Sequence, residues 1–145
     1  MGKVYEKVKE FKEKYPSTVA WRLKAHSKVI EKYLNPGEEV NFVFASQKGY
    51  SSFDIFSTFV VALTNKRILI AQKRLLFGYT YVAITPDMFN DLTVSTGIIW
   101  GKVHIDTVKE TVILSNIAKA AMDDIETQIT EYMMEEKKKY KLTQG

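Results

Sequence analysis

The sequence predicts an α+β domain. Seven short antiparallel strands roll into a barrel or sandwich, a C-terminal amphipathic α-helix caps it, and a helical N-terminal extension precedes it. Three observations carry that expectation. Apolar residues recur with helical spacing at both ends of the 145-residue chain. Between them the spacing drops to the two-residue period of strands, in seven short runs bounded by Gly, Pro, Asn or Asp. Hydrophobic residues make up 46% and charged residues 26%, the balance of a globular chain with enough apolar material for one core. The expected boundary separates an N-terminal helical extension, 1–35, from the strand-rich domain, 36–145.

The first helix is read from Val4, Val8, Phe11 and Tyr15, which share one helical face while lysines and glutamates fill the other. Pro16 should end it, and Ser17 or Thr18 is placed to cap the next helix. Leu23, His26, Ile30, Tyr33 and Leu34 form that helix's stripe, which stops at the turn signal Asn35-Pro36-Gly37. In "EVNFVFASQ", Val40, Phe42 and Phe44 should share one strand face, with Asn41 on the other. The runs "FVVAL", "RILIAQ", "YTYVAI", "LTVST", "IIWGKVHID" and "ETVIL" complete the strands, with hairpins expected at Gly97 and within "DTVKE".

Phe59 to Leu63 and Ile68 to Ala71 are apolar on both sides, so both faces of that part of the sheet should be covered. One face belongs to the barrel core. The other should lie under the N-terminal helices, through Val8, Phe11, Leu23 and Ile30, or under a second subunit. The last helix is read as starting after a Ser115-Asn116 cap, with Ile117, Ala121, Ile125, Ile129, Tyr132 and Met133 down one side. Asp123 and Asp124 suit the positive end of its dipole. Its stripe should plug the roll against Phe42, Phe44 and Val103.

Composition excludes several classes of function. No cysteine is present, which removes disulfides, thiolate catalysis and Cys-based zinc sites. His26 and His104 fall on different elements, and His104 alternates with Trp100, Lys102 and Asp106 on the outer side of a strand, so no metal site is expected. Asp123 and Asp124 point about 100° apart on a helix and make no carboxylate dyad. Neither G-x-S-x-G, nor a P-loop, nor a dinucleotide glycine pattern occurs. The expectation is therefore no enzyme and no cofactor. Net charge is +4, with nine cations against four carboxylates in 1–34, seven against seven in 35–115, and five against six in 116–145. The N-terminal lysines are interleaved with Glu6, Glu10, Glu13 and Glu31, so a nucleic-acid partner is not expected. The first residues carry charge throughout, Glu6 breaks the myristoylation pattern, and no apolar run approaches the roughly 20 residues of a membrane span. The expected location is cytoplasmic.

Four segments, "LNPGEEV", "FVVALTNKRILI", "YVAITPDMFNDLTVSTGIIWGKVHI" and "ETVILSNI", resemble in order and spacing the bacterial pleckstrin-homology (PH) domains of the YokE-like type. The resemblance rests on Leu63 to Arg67, on Ile84 with Asp87 and Asp91, and on Gly97 with Gly101, and it covers roughly residues 34 to 135. Phe89 and Asn90 depart from it, where the family more often has an aliphatic residue. It implies a PH-like roll with a C-terminal helix. Lipid-binding PH domains carry a basic cluster around the first two strands. Here "SQKGYSSFDIFST" offers only Lys48 and the following strand no charge, so specific phosphoinositide binding is not expected.

The candidate binding residues are Lys48, Tyr50, Phe53, Phe56, Lys66 and Arg67. Thr64-Asn65-Lys66-Arg67 reads either as a hairpin with polar residues at its wet end, Asn65 tolerating a left-handed backbone, or as a small anion subsite. Tyr50, Phe53, Ile55 and Phe56 lie where a surface connection is expected, either tucked onto the core or offered to a partner. The expected function is a non-enzymatic interaction module for a protein partner or a second copy. The alternative is weak peripheral contact with an anionic membrane, through that loop and Lys3, Lys7, Lys9, Lys12 and Lys14.

Overall fold

The computed structural model describes residues 2–18, 20–48 and 57–144, without the side chains of 48 and 136–144. Two helices come first, α1 (Lys3–Lys14) and α2 (Leu23–Tyr33). Seven strands follow: β1 (Val40–Lys48), β2 (Thr58–Thr64), β3 (Ile68–Lys73), β4 (Tyr79–Ile84), β5 (Phe89–Thr96), β6 (Trp100–Thr107) and β7 (Thr111–Ala118). The chain closes with α3 (Met122–Gln144). The strands form one antiparallel sheet in the order β4-β3-β2-β1-β7-β6-β5, curled into a half-barrel whose end strands do not pair with each other.

From β1 to β3 the sheet buries both faces. On its inner face Phe44, Val61, Leu63, Ile70, Val103, Ile105 and Leu114 meet Met122, Ile125, Ile129 and Met133 of α3, with Phe42 packed alongside. The terminal helix therefore plugs the roll through the expected stripe. On the outer face Val43, Ala45, Val60, Ala62, Leu69 and Ala71 lie against Val4, Val8, Val29 and Ile30 of α1 and α2. Val60 and Leu69 are fully buried, so the chain's own helices supply the cover that two-sided apolar strands require. Phe11 departs from expectation. Its ring leaves the outer layer and joins the inner cluster, 6.3 Å from Phe42 and 6.2 Å from Phe44. At the far end of α2, Tyr33 stacks on Tyr81 of β4 with ring centres 4.1 Å apart.

Three local expectations are corrected. Pro16 does stop α1 at Lys14, but neither Ser17 nor Thr18 caps α2. That helix starts at Leu23 behind Arg22, which takes a left-handed conformation at φ 54°, and the Thr18 carbonyl instead accepts the Lys12 ammonium. In β1 the register slips between Val40 and Phe42, so Val40 joins the outer cluster while Phe42 and Phe44 face inward. Ser115 and Asn116 are not a helix cap: β7 runs through them to Ala118, and a 3₁₀ turn at Lys119–Ala121 precedes α3. Asp123 and Asp124 do occupy the first turn of α3.

Candidate functional site

The turn joining β2 and β3 is built around one hydroxyl. Thr64 N–H donates to the Arg67 carbonyl at 3.0 Å, and Thr64 Oγ1 accepts the N–H groups of Lys66 and Arg67, both at 3.1 Å. The β6–β7 turn repeats the device. Thr107 N–H donates to the Glu110 carbonyl at 2.9 Å, and Thr107 Oγ1 accepts from Lys109 N–H at 3.3 Å and Glu110 N–H at 3.0 Å. No left-handed residue is needed at either turn: Asn65 has ordinary negative φ, contrary to the reading from sequence. Its side chain works elsewhere, accepting the Glu39 N–H at 2.9 Å and tying the 35–39 turn to this hairpin.

Arg67 is committed inside the molecule. Its guanidinium forks onto Glu38 and also donates to the Tyr33 carbonyl at 2.8 Å. Burial pushes the Glu38 carboxyl up. Hydrogen bonds from Arg67, Thr64 and the Asn35 N–H, with the Arg67 charge, outweigh it and hold the group below its ordinary value. Lys66 is exposed beside this neutralised pair, so the turn presents one outward cation rather than two. Lys48 stands at the opposite end of β1, on the order of 26 Å away along the strand. Lys66 and Arg67 therefore lie far from the backbone of Lys48. Tyr50, Phe53 and Phe56 fall outside the described residues.

The end of the sheet that holds Lys48 also carries the β3–β4 turn, because β1 and β3 run the same way with β2 between them. This turn places Leu75, Leu76 and Phe77 in solvent at 59%, 81% and 84% exposure. Arg74 N–H closes it onto the Gly78 carbonyl at 3.0 Å, and Gly78 supplies the left-handed backbone at φ 71°. Lys73 and Arg74 are both exposed and immediately precede the apolar triplet. Arg22 reaches the same place, donating from Nη1 to the Arg74 carbonyl at 3.5 Å.

The turn is anchored from below. Lys73 N–H donates to His26 Nδ1 at 2.8 Å, fixing the end of β3 to α2 and putting the imidazole proton on Nε2. Burial drives the His26 pKa down to about 4, an effect the Trp21 backbone opposes and the Arg22 charge reinforces. The imidazole is neutral at physiological pH and adds nothing to the local charge. The sequence signal for this surface is "KRLLFGY", in which three apolar residues stand between two cations and a turn glycine. The triplet falls between the runs "RILIAQ" and "YTYVAI", and the reading from sequence assigns it no role.

No group of three metal-ligating side chains occurs among the described residues, and none of their helices is long and apolar enough to cross a membrane. A curled seven-stranded half-barrel closed by a C-terminal helix defines a PH-like domain, a class of generally non-catalytic interaction modules. Residues 34–131 match the bacterial PH domain family, and the chain belongs to it. Among solved structures it is similar to a pleckstrin homology domain from Shewanella amazonensis SB2B, at TM-score 0.52 and 13% identity over 78% of this chain and 89% of that one. It is also similar to the C-terminal domain of an unknown protein from Leishmania infantum, at TM-score 0.51 and 11% identity over 87% and 96% of the two chains. At such identities the likeness concerns the fold alone. No curated protein sequence matches the chain.

Proposed function

We propose that this chain is a non-enzymatic PH-like interaction module that docks reversibly on anionic membrane surfaces through the β3–β4 turn. The observation that supports this reading is the run Lys73, Arg74, Leu75, Leu76, Phe77, two exposed cations followed by three exposed large apolar side chains on one tight turn. Water is a poor solvent for such a triplet, and the boundary between headgroups and acyl chains suits it. Burying a Leu or Phe is worth about 1.5–3 kcal/mol, and each nearby cation about 1 kcal/mol on an anionic leaflet. A sum on the order of 6–11 kcal/mol is reversible docking rather than permanent insertion.

The other surfaces expected from the sequence serve this function less well. Self-association through the outer sheet would require α1 and α2 to leave it, because they bury Val60 and Leu69. Two lysines of the basic α1 are already engaged: Lys12 with the carbonyls of Pro16 and Thr18, Lys14 with Asp124 at 3.4 Å.

Flotation with phosphatidylglycerol-containing and pure phosphatidylcholine vesicles tests the reading. The chain should float with the anionic vesicles, Leu76→Asp with Phe77→Asp should abolish flotation, and Lys73→Glu with Arg74→Glu should abolish it at low salt. Equal flotation of the wild type and the Asp variant would sink it.

A further inference from the structure

β5 is the last strand of the sheet, and among the described residues it pairs only with β6. Its register is continuous from Asp91, opposite Asp106, to Thr96, opposite Gly101. Between Leu92 and Thr96 there is no charge and no proline, the devices that usually protect an exposed edge. Beside this edge lies a cavity of about 530 Å³, walled by β5 on one side and α3 on the other. Val94, Met133 and Met134 give it an apolar floor, and Met134 is 68% exposed. Asp91, Asp123 and Glu126 give it three carboxylates, and no cation lines it among the described residues, although the chain as a whole carries +4. At the end of the strand Ile98 is 92% exposed, extending the apolar track past Thr96.

We infer that this groove binds an extended basic segment of a partner protein, which adds to β5 as an eighth strand. Asp91 Oδ1 accepts the Leu92 N–H at 2.8 Å, and beyond it the antiparallel edge offers alternating N–H and C=O groups to such a segment. Alternate side chains then point one way into the groove and the other way toward solvent. Apolar side chains fit over Val94 and the two methionines, and lysines or arginines two positions along, on the same strand face, meet Asp123 and Glu126 on the helix rim. Charge complementarity excludes an acidic segment. It also disfavours a second copy docking through its own lysine-rich helix, whose apolar side already lies on the sheet.

The probe is a fluorescein-labelled octapeptide that repeats Lys-Ser-Val-Ser, so that lysine and valine share one strand face, read by anisotropy with the full chain at near-physiological salt. Three controls accompany it: the glutamate–valine counterpart, a version N-methylated at alternate backbone positions, and the variant Asp123→Asn with Glu126→Gln. Binding of the lysine peptide is expected, with about tenfold weakening in the double variant, the size of two partly exposed charge pairs. The N-methylated and glutamate peptides should fail to bind. Amide shift mapping on the wild type, which needs no variant to fold, should confine the changes to Leu92–Thr96 and the first three turns of α3. Equal binding of the N-methylated peptide, shifts centred on α1 or on the β3–β4 turn, or no binding at all would each overturn the assignment. So would a concentration-dependent dimer that the double variant dissolves, since the occupant would then be a second copy.

Discussion

Arg67 grips Glu38 with two parallel hydrogen bonds, Nε to Oε2 and Nη2 to Oε1, both at 3.1 Å. The Glu38 side chain is only 1% exposed, and Thr64 Oγ1 adds a further donor at 2.6 Å. A pair this enclosed matters most when half of it is removed. Arg67→Ala leaves a buried carboxylate without its counter-charge and should cost about 3 kcal/mol in urea denaturation. Arg67→Lys should recover only part of that, because an ammonium cannot reproduce the fork. A loss below about 0.5 kcal/mol would place the pair among ordinary surface salt bridges.

The same carboxylate gives the fold an acid limb. Its folded pKa lies below the ordinary 4.5, so its contribution is complete above that value and is lost as pH falls through the folded pKa. Glu38→Gln should flatten stability below pH 4.5 while lowering it at neutral pH, measurable by thermal melts across pH.

His26 acts in a higher window. Its pKa falls from 6.5 to about 4 on folding, so between those values the unfolded chain takes a proton that the buried ring refuses. Stability is full above pH 6.5 and declines toward pH 4. The decline is at most about 3.5 kcal/mol, since each tenfold difference in proton affinity is worth about 1.4 kcal/mol. Arg22 is the charge that faces it, and raising the salt concentration should soften the decline only slightly because burial dominates. His26→Asn keeps an acceptor where Nδ1 meets the Lys73 N–H and should remove the slope between pH 6.5 and 4. An unchanged slope in that variant would assign it to other groups.

Asn116 holds a left-handed conformation, φ 53°, inside β7, at the register slip opposite the Gly101–Val103 stretch of β6, and its Nδ2 donates to Gln47 Oε1. In a strand, alanine ordinarily outranks glycine. Here the order should invert: Asn116→Ala carries the left-handed penalty of about 1–2 kcal/mol, which Asn116→Gly avoids. Calorimetric melting of the two variants decides the point, and a more stable alanine variant would refute the strain.

Much of the fold was legible because burial writes its period into the chain. Val4, Val8 and Ile30 announce an apolar helix face, and the uniformly apolar β2 and β3 announce two covered sides. The start of α3 was not legible for the same reason. Ile117 as a strand residue and Ala121, Ile125 and Ile129 as helix neighbours all face the inner cluster, so the apolar stripe runs unbroken through the change of structure. The fate of Arg67 was hidden because its partner lies 29 residues earlier in the chain, beyond any local pattern. The β5–α3 groove likewise joins residues more than thirty positions apart, and only curling of the sheet brings Asp91 and Glu126 to one cavity.

Gly101 underlies the junction between sheet and terminal helix. A methyl group on its Cα would lie 2.3 Å from Met122 Sδ and 2.4 Å from its Cγ, and Met122 is itself only 1% exposed at the head of α3. The backbone there is ordinary, so the constraint is one of space alone. Gly101→Ala must push the thioether into a filled core and should cost about 1–3 kcal/mol. Met122→Ala removes the obstacle but opens a cavity, at about 2–5 kcal/mol. Together the added methyl group enters the vacated volume, so the double variant should be more stable than the sum of the two losses by about 1 kcal/mol or more. A double-mutant cycle by guanidinium denaturation measures that coupling. Strict additivity would mean that α3 seats on the sheet without depending on the missing side chain at position 101.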